Sequence, residues 1–193
     1  MSHYFTNDIN LKHNVDKKNV VINGKEFTFF TDNGVFSKKG LDFGTRTLLE
    51  SLPEDLKGDI LDFGCGYGPI GIYLKKKYDC EVDMLDINER SISLAKKNAD
   101  LNNAEVNIFL SDIYSNVNKK YDYIVTNPPI RVGKQILYKI LFDAKDYLKE
   151  NGKIYLVINK DHGAKSLMKD LANSYKVSLV NKNKGFSVIC AEK

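Results

Sequence analysis

Alternating and periodic apolar positions predict strands and helices along most of this chain of 193 residues. Two short strand patterns flank Asn23-Gly24, a dipeptide typical of a tight hairpin turn, and a short helix that ends before Pro53 follows. From Gly58 onward, strand and helix patterns alternate. Strands are predicted at 58–63, 81–86, 105–112, 121–127 and 152–159, helices at 70–77, 89–103, 135–149 and 164–172, and two final strands within 175–193.

This alternation predicts an α/β fold, with a mostly parallel sheet and helices on both faces. The length suffices to bury a core without metals or disulfides. We therefore expect one domain over residues 1–193, made of a tail and hairpin over 1–35 and a core over 36–193.

Polar residues stand at the ends of four consecutive predicted strands. In open parallel sheets, ligands bind at the carboxyl ends of the strands. A single acidic strand end would be unremarkable, but four polar ends in series predict a binding site along one sheet edge. These residues are Asp62, Asp86, Asp112 and Asn127.

Composition narrows the class of protein. Hydrophobic residues make up 42% and aromatic residues 11%, which is typical of a globular protein and argues against disorder. The net charge of +4 permits a polyanionic partner without requiring one. Cys65, Cys80 and Cys190 are odd in number and far apart, so we expect neither disulfides nor a metal site. Without an apolar leader or membrane span, a cytoplasmic protein is expected.

A glycine-rich turn, FGCGYG, follows the strand at 58–63. Gly64, Gly66 and Gly68 allow unusual backbone angles and the close approach of a ligand. The spacing Gly66-x-Gly68-x-x-Gly71 also matches a dinucleotide fingerprint, and Asp86 lies where such sites bind a ribose. An NAD site and a purely structural turn are therefore alternatives.

The acids favour a different ligand. Asp62 lies just before the glycines, where it would repel a pyrophosphate but could hold an ammonium group. Asp112 could accept a hydrogen bond from an exocyclic amine. A ligand with a cationic amino acid end, a ribose and an adenine would use Asp62, Asp86 and Asp112 together. The sequence therefore favours S-adenosylmethionine as cofactor.

The strand at 121–127 ends on a rigid elbow, Asn127-Pro128-Pro129. The carboxamide oxygen of Asn127 and the carbonyl of Pro128 could hold the two N–H groups of a planar amine and direct its lone pair toward a methyl donor. The alternative is a plain strand-terminating turn. Arg131 and Lys134 could grip a substrate phosphate, or be solvated charges at a helix start.

The segments FTDNGVFSKKGLDFGTRTLLE, DFGCGYGPIG, DMLDIN, SDIY and TNPPIRVGK resemble class I SAM-dependent methyltransferases. More narrowly, they are similar to the small-domain group related to bacterial 16S ribosomal RNA guanine-N2 methyltransferases. The resemblance covers residues 20–192. It implies a Rossmann-like seven-stranded sheet whose last strand is antiparallel, preceded by a short N-terminal β-hairpin.

The resemblance also implies roles for individual residues. Asp62 is expected near the methionine amino group, Asp86 on the ribose hydroxyls and Asp112 near the adenine. Phe36 and Thr45 are expected to help close the cofactor pocket. The remaining cofactor-binding residues expected are Gly64, Gly66, Gly68, Ile87, Ile113 and Asn127, and the catalytic ones are Asn127, Pro128 and Pro129.

Ile130 departs from the family pattern, which often has Phe or Tyr there to stack on a flipped base. Stacking must then come from elsewhere, or the target differs. We expect the substrate to be an exocyclic amine of RNA, namely guanine N2 of ribosomal RNA, free or in the small subunit, with Ile130, Arg131 and Lys134 as contacts. Alternatives are a protein glutamine amide, adenine N6, or a non-catalytic SAM- or NAD-binding module.

Overall fold

The computed structural model describes residues 12–193, and the tail over residues 1–11 lies outside the described part. A hairpin precedes alternating strands and helices. The elements are β1 (Asp16–Ile22), β2 (Lys25–Thr31), α1 (Phe43–Glu50), β3 (Gly58–Phe63), α2 (Pro69–Lys77), β4 (Cys80–Asp86), α3 (Glu89–Leu101), β5 (Asn107–Leu110), β6 (Tyr121–Thr126), α4 (Lys134–Asp143), β7 (Leu148–Asn159), α5 (Ala164–Leu171), β8 (Lys176–Asn183) and β9 (Phe186–Glu192).

Strands β3 to β9 form one seven-stranded sheet in the order β5-β4-β3-β6-β7-β9-β8. The neighbours from β5 to β7 pair in parallel, and β9 runs antiparallel to both β7 and β8. The predicted Rossmann-like sheet with an antiparallel last strand is therefore confirmed. This order places the carboxyl ends of β5, β4, β3 and β6 next to one another.

Helices cover both faces of the sheet and enclose two clusters of buried side chains. Successive strand residues point to opposite faces, so Ile60 belongs to one cluster and Leu61 to the other. The first cluster joins α1, α2, α3 and the hairpin, and the second joins α4 and α5. Helices thus cover both faces of the sheet, and the carboxyl ends of its strands remain as the place where a ligand can bind.

The hairpin turns at Asn23 and Gly24, whose φ angles of 46° and 75° are those of the predicted tight turn. It docks on α3 through the buried side chain of Asn98, whose amide group pairs with the backbone of β2 as a neighbouring strand would. Asn98 accepts from the Phe30 amide at 2.7 Å and donates to the Phe30 carbonyl at 2.9 Å. Asn102 does the same for Thr28. This anchors the loop that leads from β2 to α1.

The predicted helix over 135–149 is too long. α4 ends at Asp143, a short 3₁₀ turn follows, and β7 begins at Leu148. Leu148 is buried and pairs with Tyr121, while the Lys149 ammonium contacts an Asp122 oxygen at 2.8 Å. The helical spacing of apolar residues continues through this segment, but pairing with β6 decides its structure.

Candidate active site

A cavity of about 720 Å³ opens at the carboxyl ends of the central strands. It joins the β3–α2 turn, the ends of β4 and β6, the segment after β5 and the loop before α1. Most of the predicted site residues border it. These are Phe36, Thr45, Gly64, Gly66, Asp86, Ile87, Asp112, Ile113, Asn127, Pro128, Pro129 and Ile130.

The glycine turn shapes the floor of the cavity. Gly64, Gly66 and Gly68 have φ angles of 73°, 56° and 97°, a region that L side chains rarely adopt. The Gly64 amide donates to the Leu85 carbonyl at 2.9 Å, which ties the turn to β4. Gly68 is not itself a lining residue, and a Cβ there would meet Ile72 at 3.0 Å. Its role is therefore in packing at the start of α2.

Asp86, at the end of β4, is held by backbone amides. Its Oδ2 accepts from the Gly66 amide at 2.8 Å, and its Oδ1 accepts from the Asn88 amide at 2.9 Å. Burial raises the pKa of this carboxyl, while the amides of Asn88 and Gly66 act in the opposite direction. A carboxylate has about four acceptor positions, so Asp86 can still accept from a ligand hydroxyl.

Asp62 lies fully buried behind the glycine turn. Its Oδ2 accepts from the Gly71 amide at 2.8 Å, but its Oδ1 has no hydrogen-bond partner among the described residues. Burial, with a smaller contribution from the nearby Asp86, raises the pKa of Asp62 to about 8. Asp62 is not among the residues that line the cavity. A buried acceptor without a partner is costly, and a cationic group bound close to it would stabilise its charged form. The site thus fits the ammonium end of S-adenosylmethionine.

The segment after β5 carries backbone strain. β5 ends at Leu110, earlier than predicted, and Asp112 follows it in a turn. Ile113 has a φ of 52°, which is rare for a β-branched residue. The Ser111 hydroxyl donates to the Ile113 carbonyl at 3.0 Å and supports this conformation. Strain of this kind is concentrated at ligand sites, and it presents Asp112 and Ile113 to the cavity.

The Asn-Pro-Pro elbow is fixed at two points. The Thr126 hydroxyl donates to the Phe63 carbonyl at 2.8 Å, which ties the end of β6 to that of β3. The side-chain Nδ2 of Asn127 donates to the Thr45 hydroxyl at 3.0 Å and lies 3.4 Å from an oxygen of Asp42. Asp42, the N-cap of α1, was not predicted as a site residue. An acid before a helix signals a cap, but nothing local indicates a partner 85 residues away.

The predicted substrate contacts separate in the structure. Ile130 borders the cavity. Lys134 lies outside the lining: its ammonium is 3.8 Å from an Asp170 oxygen and 4.7 Å from the centre of the Tyr138 ring. The Arg131 side chain lies outside the described part of the structure.

An aromatic side chain that the sequence patterns did not predict comes from β9, next to the edge strand β8. Phe186, the first residue of β9, borders the same cavity as the elbow. Its ring lies 5.8 Å from that of Phe43, and a Cβ at Gly44 would come within 2.8 Å of it. The Lys184 ammonium is 5.4 Å from the centre of the Phe43 ring. Nothing in the sequence joins these residues, because the β8–β9 turn and α1 are distant in the chain.

Residues 12–193 contain neither a cluster of metal-binding side chains nor a membrane-spanning helix. Within that range, His, Cys, Asp and Glu side chains form no cluster of three able to hold a metal ion. No helix there has the length and apolar character required to cross a bilayer.

Comparison with known proteins places the chain in a family. The model named "Methyltransferase small domain" matches residues 26–190. The chain belongs to this family. The expectation of a SAM-dependent methyltransferase is thereby confirmed, and the dinucleotide alternative is not supported.

Similar proteins extend this assignment. The chain is 41% identical to protein YbxB of Bacillus subtilis (strain 168), over 99% of the chain and 98% of that relative. It is 37% identical to the ribosomal RNA small subunit methyltransferase C of Psychromonas ingrahamii, over 72% of the chain and 41% of the relative. The T. thermophilus 16S rRNA N2 G1207 methyltransferase, solved with AdoMet and guanosine, superimposes with a TM-score of 0.83 at 27% identity.

That superposition covers 93% of this chain and 50% of the T. thermophilus protein. The chain thus spans half or less of the length of these two ribosomal RNA methyltransferases. Their similarity supports the fold and the methyltransferase class.

Proposed function

We propose that the protein transfers a methyl group from S-adenosylmethionine to an exocyclic amine of an RNA base, with guanine N2 of small-subunit ribosomal RNA as the target. The observation that carries this proposal is the Asn127-Pro128-Pro129 elbow in the cavity that also holds Asp86 and Asp112. The guanosine in the T. thermophilus relative's structure supports a guanine target.

Each of the three strand-end acids would contact a different part of the cofactor. S-adenosylmethionine, when bound, supplies an electrophilic methyl group. Asp62 would hold the ammonium end, because its Oδ1 is a buried acceptor without a partner among residues 12–193. Asp86 would accept from the ribose hydroxyls, and Asp112 would accept from the adenine amine. Ile87 and Ile113 provide apolar walls for the adenine.

The elbow acts on the nucleophile. The lone pair of an exocyclic base amine is delocalised into the ring, so the amine reacts poorly. The Asn127 Oδ1 and the Pro128 carbonyl accept hydrogen bonds from its two N–H groups, orient the lone pair toward the methyl carbon and stabilise the positive charge that develops on nitrogen. As nitrogen forms its bond to that carbon, the bond between the carbon and the cofactor sulfur would break, leaving S-adenosylhomocysteine as a neutral thioether, and nitrogen would then lose one proton to solvent. No strong base is required.

The target base needs a flat apolar surface, which Ile130 does not provide. We assign this role to Phe186, whose ring borders the cavity and is immobilised against Phe43 and Gly44. Stacking on an aromatic side chain tolerates any base, so the acceptors of the elbow, rather than the stack, select an amine.

Label transfer from methyl-tritiated S-adenosylmethionine tests the proposal. Deproteinised ribosomal RNA, intact small subunits and a ribosome-free protein extract are offered in parallel, and labelled RNA is digested to nucleosides. The expected product is N2-methylguanosine. Label in protein alone would overturn the RNA assignment and make the elbow a clamp for a glutamine amide.

Asn127→Ala tests the role of the elbow. The variant should lose transfer while its dissociation constant for S-adenosylmethionine stays within about threefold of the wild-type value, because one acceptor of the target amine is removed and the acids remain. The charge-neutral change Asn118→Ala, in the turn before β6, is the matched control. Near-normal turnover of Asn127→Ala would contradict the assignment.

A further inference from the structure

A hydrogen-bond relay connects the start of α1 to the Asn-Pro-Pro elbow. The Asn127 Nδ2 donates to the Thr45 Oγ1 at 3.0 Å, and the Thr45 hydroxyl donates in turn to Asp42. The same Asn127 nitrogen lies 3.4 and 3.5 Å from the two Asp42 oxygens. Thr45 is 3% exposed, so water competes little for these bonds.

The chemistry of Asp42 decides which way the Asn127 carboxamide faces. Its carboxylate accepts from the amides of Gly44 and Thr45, at 2.9 and 3.2 Å, in addition to the Thr45 hydroxyl. A carboxylate has no proton to donate. The Asn127 group that faces Asp42 must therefore be its NH₂. Among residues 12–193 no group donates to the opposite atom, Oδ1, so this oxygen can accept from a ligand.

We propose that Asp42, acting through Thr45, is a positioning residue that locks the Asn127 carboxamide with its oxygen toward the substrate amine. This inference rests on the proposed function, in which Asn127 Oδ1 accepts from the target. A flipped carboxamide would present NH₂ to an amine that also donates, and the clamp would repel its substrate. The negative charge of Asp42 also polarises the carboxamide, which makes its oxygen a stronger acceptor as positive charge develops on the target.

A plain helix cap is the competing role for Asp42, and Asp42→Asn separates the two. Asn caps a helix about as well as Asp, so its Oδ1 can still accept from Gly44 and Thr45. Its Nδ2 then replaces the oxygen that faces Thr45 and Asn127. The polarity of the relay is reversed while the shape and the cap are retained.

The kinetic test measures kcat, KM for RNA and the dissociation constant for S-adenosylmethionine. Asp42→Asn should lower kcat by roughly tenfold to a hundredfold, the effect of losing one hydrogen bond to a charged group, with little change in the other two constants or in Tm. Thr45→Val should lower kcat to a similar extent, and Thr45→Ser should recover most of the lost rate. The control is Asp55→Asn, which makes the same change in charge at an exposed position before β3.

The orientation can be measured without any substrate. In protein labelled with ¹⁵N-asparagine, the signal of the Asn127 side chain is identified by its loss in Asn127→Ala. A downfield amide proton is expected in the wild type. It should shift upfield in Asp42→Asn and Thr45→Val, and stay in place in Asp55→Asn.

The two readouts separate failure of this inference from failure of the proposed function. An Asn127 signal that is unchanged in Asp42→Asn, or an unchanged kcat in that variant, would overturn the positioning role whatever the methyl acceptor is. If instead the signal shifts as expected while the wild type labels no RNA, the orientation stands and the assigned substrate is wrong.

Discussion

At the scale of single residues, Asp62 shows how a ligand site can oppose stability. The carboxyl is fully buried, and one of its oxygens has no partner in the described part of the chain; burial raises its pKa to about 8. In the unfolded chain its pKa is near 3.8. The folded protein therefore binds more protons than the unfolded chain between these values, so this residue lowers stability progressively as pH rises from about 4 to about 8.

Asp62→Asn should remove this pH dependence. An amide does not titrate, and its oxygen can still accept from Gly71. In the absence of cofactor, the Tm of the variant should therefore exceed that of the wild type by an amount that grows from pH 5 to pH 8. Scanning fluorimetry across that range measures it, with Asp55→Asn as the control. A constant difference in Tm between variant and wild type at all pH values would contradict the prediction.

The same change should weaken cofactor binding. Loss of a hydrogen bond to a charged group costs roughly 1.5–3 kcal/mol, so the dissociation constant for S-adenosylmethionine should rise about tenfold to a hundredfold in calorimetry. Unchanged affinity would show that Asp62 does not hold the ammonium end. A gain in stability combined with a loss of binding is the signature of a residue kept for its ligand.

At the scale of elements, the turn between β8 and β9 brings a side chain to a site built mainly from other strands. β9 is inserted antiparallel between β7 and β8, so its first residue lies at the same edge as the carboxyl ends of the parallel strands. This places Phe186 in the lining of the cavity that the elbow also borders. An aromatic supplied by this turn can replace the one that is absent at Ile130.

Phe186→Ala should therefore raise KM for RNA by roughly tenfold to a hundredfold, as expected for one stacking interaction worth ~1–3 kcal/mol. The dissociation constant for S-adenosylmethionine should change little, and Phe186→Tyr should retain most of the RNA affinity. Val180→Ala, an exposed apolar truncation on β8, controls for general effects on this hairpin. Equal KM values for Phe186→Ala and Val180→Ala would argue against stacking.

At the scale of the whole molecule, the cavity joins segments from both halves of the chain, from the loop before α1 to the start of β9. A ligand bound there to the folded chain alone stabilises it by mass action. At a concentration of one hundred times its dissociation constant the gain is about 2.7 kcal/mol. For a domain of this size each kcal/mol corresponds to roughly 2–4 °C in Tm.

S-adenosylmethionine at that concentration should therefore raise Tm by roughly 5–10 °C. NAD at the same concentration should leave Tm unchanged, since the charged form of Asp62, behind the glycine turn, would repel a pyrophosphate. A comparable shift with NAD and none with S-adenosylmethionine would contradict the cofactor assignment.

Local patterns in the sequence were enough to predict the succession of elements and much of the chemistry. The hairpin at Asn23-Gly24, the strand–helix alternation and the glycine turn are written in local patterns, because turn geometry and side-chain periodicity depend on near neighbours. The prediction of a binding site at the polar strand ends followed from a general property of parallel sheets. Helix length at 135–149 was wrong because pairing with β6 outweighed helical spacing.

Which residues meet across long separations depended on the packing of distant elements. That packing buried Asp62 behind the glycine turn, turned Lys134 toward Asp170, and brought Phe186 to the cavity that the elbow borders. It also joined Asp42 to Asn127. These contacts depend on strand order and helix docking, which a linear pattern does not encode. The sequence thus determined the kinds of groups available, and the fold determined which atoms face a common ligand.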